Sequence, residues 1–188
     1  MKQGSVRIIA GEWRGRRLKV PDVQDLRPTP DRVRETVFNW LAPWIQGARC
    51  LDLFAGSGVL GFEALSRGAE QVVLVDADRR VVDLINEQLA LFKTDKGMAY
   101  CANIPTELKP AAMPFDIIFL DPPYQSGLLL PTCSYLEANG FLAADALIYL
   151  EASNTINENT LPASWQIIKT KQAGQVAYHL VRREKKNG

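Results

Sequence analysis

Histidine is almost missing from this chain: His179 is the only one among 188 residues. That scarcity argues against a Ser-His-Asp triad and against a histidine-built metal centre, so any catalysis must run without an imidazole base, and no metal is expected. Cysteine is scarce as well. Cys50, Cys101 and Cys133 form an odd set without close spacing, each beside apolar residues, which points to buried thiols rather than to a disulfide or a metal site. The longest apolar runs are only strand-sized, and the start Met1-Lys2-Gln3-Gly4-Ser5-Val6-Arg7 carries no extended apolar segment. Neither a membrane span nor a signal peptide is expected, and the cytoplasm is the expected compartment. Internal repeats and low-complexity segments are lacking too, and no long hydrophobic seam demands a dimer, so a monomer is expected.

What is present fits one globular domain with an ordinary core and a small appendage, with hydrophobic residues at 47% and charged residues at 23%. The formal net charge of +1 conceals an uneven distribution. Residues 1–34 carry nine Lys/Arg against four Asp/Glu, residues 169–188 carry six against one, and the remainder carries seven against sixteen. Basic ends around an acidic centre suggest a polyanion-binding surface built from both termini.

Residues 5–10 and 16–20 read as a short hairpin around the arginine-rich turn Gly11-Glu12-Trp13-Arg14-Gly15. Thr29 reads as an N-cap with Pro30 at the first helical position, and Val33, Val37, Phe38 and Leu41 form an apolar stripe, giving a helix over 29–42 that stops before Pro43. The chain thus divides into an N-terminal basic extension, 1–28, and a main domain, 29–188. Strands over 49–54, 71–75, 98–101, 115–120 and 146–151 alternate with helices over 58–67, 79–92 and 126–138. After a polar loop at 153–164, segments 165–171 and 175–182 flank Ala173-Gly174 as an antiparallel hairpin. This is an α/β pattern: a parallel sheet covered on both faces, with ligands at the carboxyl ends of its strands.

Two motifs sit at such strand ends. Gly56-Ser57-Gly58-Val59-Leu60-Gly61 has the G-x-G-x-x-G spacing, and Asp76 ends the next strand 20 positions after Gly56. Small residues let a ligand approach the backbone, and a carboxylate at the second strand end can accept hydrogen bonds from ribose hydroxyls. That much fits a dinucleotide as well as S-adenosylmethionine. Asp52, just before the loop, tilts the reading toward the latter, because a carboxylate attracts the ammonium of a methionine moiety and repels a pyrophosphate. Asn103, beyond the third strand, lies where an adenine ring would fall.

The second motif is Asp121-Pro122-Pro123-Tyr124, directly after the apolar run Phe115-Asp116-Ile117-Ile118-Phe119-Leu120. An exocyclic amine on a nucleobase is a poor nucleophile, because its lone pair is delocalised into the ring. A carboxylate at Asp121 and the carbonyl oxygen of Pro122 can accept both amine hydrogens and turn the lone pair outward, an interaction worth most as the nitrogen becomes positive. The two prolines restrict the backbone that carries this carbonyl. Tyr124 supplies a ring face for the base, a stack worth about 1–3 kcal/mol.

With these residues the chain resembles class I S-adenosylmethionine-dependent methyltransferases of the amino-methylating group, whose D/N-P-P-Y/F/W motif does not itself identify the base. Gly11-Glu12-Trp13-Arg14-Gly15-Arg16-Arg17-Leu18, followed by the run from Arg27-Pro28-Thr29-Pro30 to Asn39-Trp40-Leu41, is similar to the signature of the RsmD family. Ala173-Gly174-Gln175-Val176-Ala177-Tyr178 extends the likeness almost to the end. The resemblance implies a Rossmann-like, seven-stranded, mostly parallel sheet with the last strand antiparallel, carrying an N-terminal β-hairpin and helix extension. It also implies methylation of guanine N2 in 16S ribosomal RNA of the small ribosomal subunit, at the position conventionally numbered 966. Matched onto this sequence, it implies Asp52, Phe54, Gly56, Ser57, Gly58, Asp76, Ala77, Asn103 and Asp121 for the donor. Asp121, Pro122 and Tyr124 would serve catalysis. Asn103 stands where many methyltransferases place an Asp. Arg7, Arg14, Arg16, Arg17, Arg27 and Arg32 are expected to touch RNA phosphates, which position a nucleic acid without reading it. Arg32 and Arg34 have Asp31 and Glu35 as alternative partners on their own helix. An N6-adenine methyltransferase acting on DNA or RNA is the alternative within the same enzyme class, although no separate target-recognition domain is visible.

Overall fold

The computed structural model of the protein describes residues 4–24 and 26–184, so Lys2, Lys185 and Lys186, which contribute to the basic ends, lie outside the described residues. Seven strands form one sheet: β3 (Arg49–Leu53), β4 (Gln71–Asp76), β5 (Gly97–Cys101), β6 (Phe115–Leu120), β7 (Leu142–Ala152), β8 (Trp165–Ala173) and β9 (Val176–Arg183), in the spatial order β5-β4-β3-β6-β7-β9-β8. The first five pair in parallel, and β9 runs antiparallel to both of its neighbours. The expected sheet with its last strand reversed is therefore observed. A two-stranded sheet of β1 (Ser5–Arg7) and β2 (Arg17–Lys19) precedes it.

Strand sequences rich in Val, Ile and Leu are buried on both sides because helices cover both faces. On one face Cys50, Leu74, Ile117, Phe119 and Tyr149 pack beneath α1 (Asp31–Ile45), α2 (Val59–Ser66) and α3 (Arg79–Leu91). Leu51, Leu53, Ile118, Leu120 and Ile148 face the other side, with α4 (Leu129–Ala138) contributing Cys133 and Leu136. Ile8, Trp13 and Leu18 of the N-terminal hairpin join the first of these cores. Trp13 meets the ring of Phe92 edge-on at 4.7 Å, at the end of α3. All three cysteines are free, Cys50 and Cys133 within the core.

Several boundaries differ from the pattern reading. Helix α1 begins at Asp31 with Pro30 as its N-cap and no side-chain cap, rather than with Thr29 capping: the Pro30 carbonyl accepts the Arg34 N–H at 3.0 Å, and the Thr29 carbonyl is taken by Arg34 Nε at 3.1 Å. It also runs through Pro43 to Ile45, since buried Ile45 continues the stripe of Val37 and Leu41 and outweighs the lost donor of one proline. Helix α4 starts at Leu129 instead of 126, because Ser126 is held in a turn by its N–H and Oγ, both donating to the Pro123 carbonyl. Strand β7 starts at Leu142, not 146, because Leu142 pairs with Phe115 across a register shift.

A buried ionic cluster fixes the extension to the domain. Arg34 and Glu63 are fully buried, and Arg34 Nη1 meets Glu63 Oε2 at 3.2 Å. Glu63 also accepts from the backbone N–H groups of Ile9 and Ala10 and from Arg67 Nε at 3.0 Å. Arg34 further donates to the Arg7 carbonyl and pairs with Asp31. Its guanidinium is thus committed to the interior.

Candidate active site

Sheet register assembles the site. Leu53 of β3 is level with Val75 of β4 and with Leu120 of β6, and Leu120 is level with Leu150 of β7. The next residue on each strand therefore falls in one row across the carboxyl edge: Asp76, Phe54, Asp121 and Glu151. Neighbouring strands lie about 4.8 Å apart, so Asp121 and Glu151, 30 positions apart in the chain, become neighbours, with Asp76 two strands further along the row. Strand β3 is also where the chain order reverses, since β4 and β5 lie on one side and β6 on the other. Ligands of open α/β sheets bind in the crevice at such a point.

The donor loop turns sharply after β3. Phe54, Gly56 and Gly58 adopt positive φ of 60°, 57° and 76°. At Gly58 an added Cβ would lie 3.3 Å from Ile85 and Phe62 and 3.4 Å from Leu74, so space and backbone angle both select glycine there. Asp76 holds the loop shut: one carboxylate oxygen accepts the Gly56 N–H at 3.0 Å and the other accepts the Asp78 N–H at 2.9 Å. Each oxygen retains a lone pair for a hydroxyl. Asp52 is buried, and its Oδ2 accepts the N–H of Gly61 at 3.0 Å, which ties β3 to the first turns of α2. Burial raises its carboxyl well above the usual range. Ser57 is buried, Ala77 is exposed with its carbonyl taken by the Cys101 thiol, and exposed Asn103 shares the Glu107 carboxylate through its backbone and side-chain N–H groups. Leu26, from the segment joining the hairpin to α1, approaches within 3.5 Å of the position a Gly56 Cβ would take. The connection thus lies over the donor loop.

The acceptor side is more acidic than its sequence motif suggests. Asp121 sits beside Glu151, and burial, then the Glu151 charge, then that of Asp52 push its carboxyl well above the ordinary carboxylate range. Glu151 was not legible as a site residue, since no motif surrounds it and only its place at the end of β7 could have flagged it. Its Oε1 accepts the Tyr124 hydroxyl and its Oε2 the buried Tyr149 hydroxyl, each at 2.8 Å. Tyr124 otherwise stands out from the surface, 49% exposed, with a ring face free to stack. Pro122, Pro123, Tyr124 and Glu151 line a cavity of about 250 Å³ that continues toward the start of α4.

The acidic donor set suits a ligand bearing positive charge and hydroxyls. Asp76 could hold a ribose, while Asp52 and Asp121, whose carboxyls burial holds above the usual range, would supply a negative field for a sulfonium and an ammonium when that cation draws them into their ionised forms. S-adenosylmethionine fits this description and a pyrophosphate does not. His179 sits on β9 opposite Leu150, one residue short of the row, but its ring is engaged elsewhere: its Nε2 accepts the Ile156 N–H, its Nδ1 meets the Thr170 hydroxyl at 2.8 Å, and burial lowers its basicity. Among the described residues, no group of three or more His, Cys, Asp or Glu is placed to hold a metal ion, and no helix is long and apolar enough to cross a membrane.

The expected phosphate-binding arginines string along the hairpin toward the start of α1, with Arg7 directly opposite Arg17 in the β1–β2 register. Arg14 and Arg16 lie at the hairpin turn, where Glu12 and Trp13 bond Ser66 at the last residue of α2. Helix α2 begins beside the donor loop, so that turn stands about one eight-residue helix length, ~12 Å, below the reaction edge. Arg16 covers the Phe92 ring at 3.6 Å, and Arg17 donates to Ser5 Oγ. Arg7 is 3.9 Å from Asp31 near the start of α1. Exposed Arg27 and Arg32 flank the same end of that helix.

Sheet order, glycine loop and the Asp-Pro-Pro-Tyr strand end together define a class I methyltransferase. The family model described as "Conserved hypothetical protein 95" matches residues 6–182. Ribosomal RNA small subunit methyltransferase D of Escherichia coli (strain K12) is 50% identical over 181 residues, spanning 96% of this chain and 91% of that protein. The chain belongs to the RsmD family. A solved Escherichia coli structure named yhhF superposes with a TM-score of 0.89 at 50% identity, covering 96% of this chain and 99% of that one. The 16S rRNA N2 G1207 methyltransferase (RsmC) of Thermus thermophilus, solved with AdoMet and guanosine, gives a TM-score of 0.72 at 20% identity over 98% of this chain and 50% of that one, a likeness of fold.

Proposed function

We propose that this enzyme transfers a methyl group from S-adenosylmethionine to the exocyclic N2 of a guanine in 16S ribosomal RNA of the small ribosomal subunit, at the position conventionally numbered 966. The observation that carries the reading is the juxtaposition of Asp121 and the Pro122 carbonyl with the glycine loop of the adjacent strand. The name of the Escherichia coli relative supports a small-subunit RNA substrate. When bound, S-adenosylmethionine supplies an electrophilic methyl on a sulfonium. Asp76 would hold the ribose hydroxyls, and the loop at Gly56 and Gly58 lets the ligand lie close to the backbone. Asp52 and Asp121 provide negative potential for the cationic end. Tyr124 stacks on the base, while Asp121 and the Pro122 carbonyl accept the two amine hydrogens and leave the nitrogen lone pair free to attack. These acceptors strengthen as the nitrogen gains positive charge, so they lower the barrier rather than merely bind the base. The methylated ammonium then loses a proton readily, and no imidazole is needed.

On this reading the basic hairpin and the start of α1 contact RNA phosphates, and the protein works as a cytoplasmic monomer. The test is incubation of the purified enzyme with methyl-labelled donor and small-subunit particles lacking the modification, followed by nucleoside analysis. Label in N2-methylguanosine is expected. Label confined to N6-methyladenosine would overturn the guanine assignment and favour the adenine alternative.

A further inference from the structure

Glu151 takes no part in the mechanism so far, yet it is the most elaborately held carboxylate in the cavity wall. It is only 7% exposed, it lines the cavity beside Pro122, Pro123 and Tyr124, and each oxygen receives a tyrosine hydroxyl at 2.8 Å. A carboxylate offers about four lone-pair sites. Two tyrosines use two of them, so Glu151 keeps acceptor capacity while its orientation is fixed from both sides. Asp121 lies one strand away in the same row. Asp121 stands behind the cavity wall with a carboxyl raised by its neighbours; once it ionises, the two adjacent carboxylates ask for a ligand with two adjacent donors.

Nucleobases differ at this point. Guanine carries a ring N1–H directly beside its exocyclic amine. Adenine and cytosine carry a ring nitrogen with a lone pair in the corresponding place. Against Glu151 the guanine edge would form a further charge-assisted hydrogen bond, whereas the other two would face an acceptor with an acceptor. A site built to bond a polar edge rejects a ligand lacking that donor more strongly than it rejects a change of size, because its buried group is left unpaired. We propose that Glu151 is a specificity-determining residue that accepts the N1–H of the target guanine while Asp121 and the Pro122 carbonyl take its amine. The inference rests on the guanine reading above and adds the feature that selects guanine over other amine-bearing bases.

The test uses small-subunit RNA assembled with either guanine or 2-aminopurine at the modified position. 2-Aminopurine keeps the amine, replaces N1–H by a lone pair and lacks O6, a loss common to both enzymes that cancels when their preferences are compared. The wild-type enzyme is expected to prefer guanine in kcat/KM by at least about tenfold. In Glu151→Gln the amide keeps the shape, the tyrosine hydroxyls can turn to accept from its NH2, and that NH2 can donate to the bare N1. Guanine methylation should fall by about tenfold or more, 2-aminopurine methylation should fall less or rise, and the preference should narrow by at least about tenfold. Donor affinity by calorimetry should stay within about twofold, since Glu151 lies on the acceptor side. A merely structural role would depress both bases alike, and an unchanged preference in Glu151→Gln overturns the inference. Equal wild-type turnover on the two bases overturns it as well, whether or not the variant folds. Failure of the wild-type enzyme to methylate guanine would instead remove the underlying functional reading, and so is distinguishable.

Discussion

Replacing Asp121 by Ala removes the charged member of the two acceptors assigned to the amine, and three measurable effects can be worked from its surroundings. Neither neighbouring carboxylate can substitute: Glu151 is held by the hydroxyls of Tyr124 and Tyr149, and Asp52 is buried with one oxygen on the Gly61 N–H. The loss should therefore approach that of deleting one preorganised transition-state hydrogen bond, about 10²–10³-fold in kcat. Donor affinity should fall far less than kcat, because Asp121 supplies only part of the negative potential at the cationic end while the glycine loop on β3 and Asp76 on β4 hold the rest of the donor.

The same substitution should alter the response to pH. The Asp121 carboxyl is raised in the folded protein by burial, by Glu151 and by Asp52. The folded state then keeps a proton over a range in which the unfolded chain has released it, so it binds more protons, and this group lowers stability as pH rises through that window. Removing it should shift relative stability in the variant's favour with increasing pH. Wild-type activity should show an acid limb lying above the ordinary carboxylate range, because Asp121 must be ionised to accept the amine hydrogens. Single-turnover methyl transfer, calorimetry with the donor, and thermal unfolding across pH check the three together. Unchanged kcat, or a fall in rate matched by an equal loss of donor affinity, would refute the assigned role.

Gly58→Ala places a Cβ 3.3 Å from Ile85 and Phe62 at a φ of 76°, so a stability loss of about 1–2 kcal/mol and weakened donor binding are expected, read by denaturant unfolding and calorimetry. Wild-type donor affinity would contradict the placement of this loop. Glu63→Ala strands the buried Arg34 and frees the Ile9 and Ala10 N–H groups; a loss of about 3–5 kcal/mol is expected in unfolding experiments, and one near zero would mean that the cluster does not hold the extension. Joint replacement of Arg14, Arg16 and Arg17 by Ala should weaken RNA binding and flatten its dependence on salt, because fewer counterions are released. A slope as steep as wild type would assign the phosphate contacts to Arg7, Arg27 and Arg32 at the α1 end.

The sequence by itself determined the local parts. Strand patterns over 49–54 and 115–120, the glycine spacing at 56–61 and the run Asp121-Pro122-Pro123-Tyr124 all depend on short-range chemistry: side-chain alternation, permitted φ angles, prolines that cannot continue a strand. The reversed last strand was legible as well, through the resemblance carried by those motifs. What only the tertiary structure decided was company. Glu151 enters the site because β7 pairs with β6 in one register and not another, a choice made by the burial of Leu120, Ile148 and Leu150. Asp52 is drawn inward because α2 offers it a backbone N–H. Arg34 has the composition of a phosphate ligand and the role of a core ion pair, since Glu63 arrives from a helix 29 residues away. Parallel pairing and helix packing join residues distant in the chain, so no local pattern records which charges will meet.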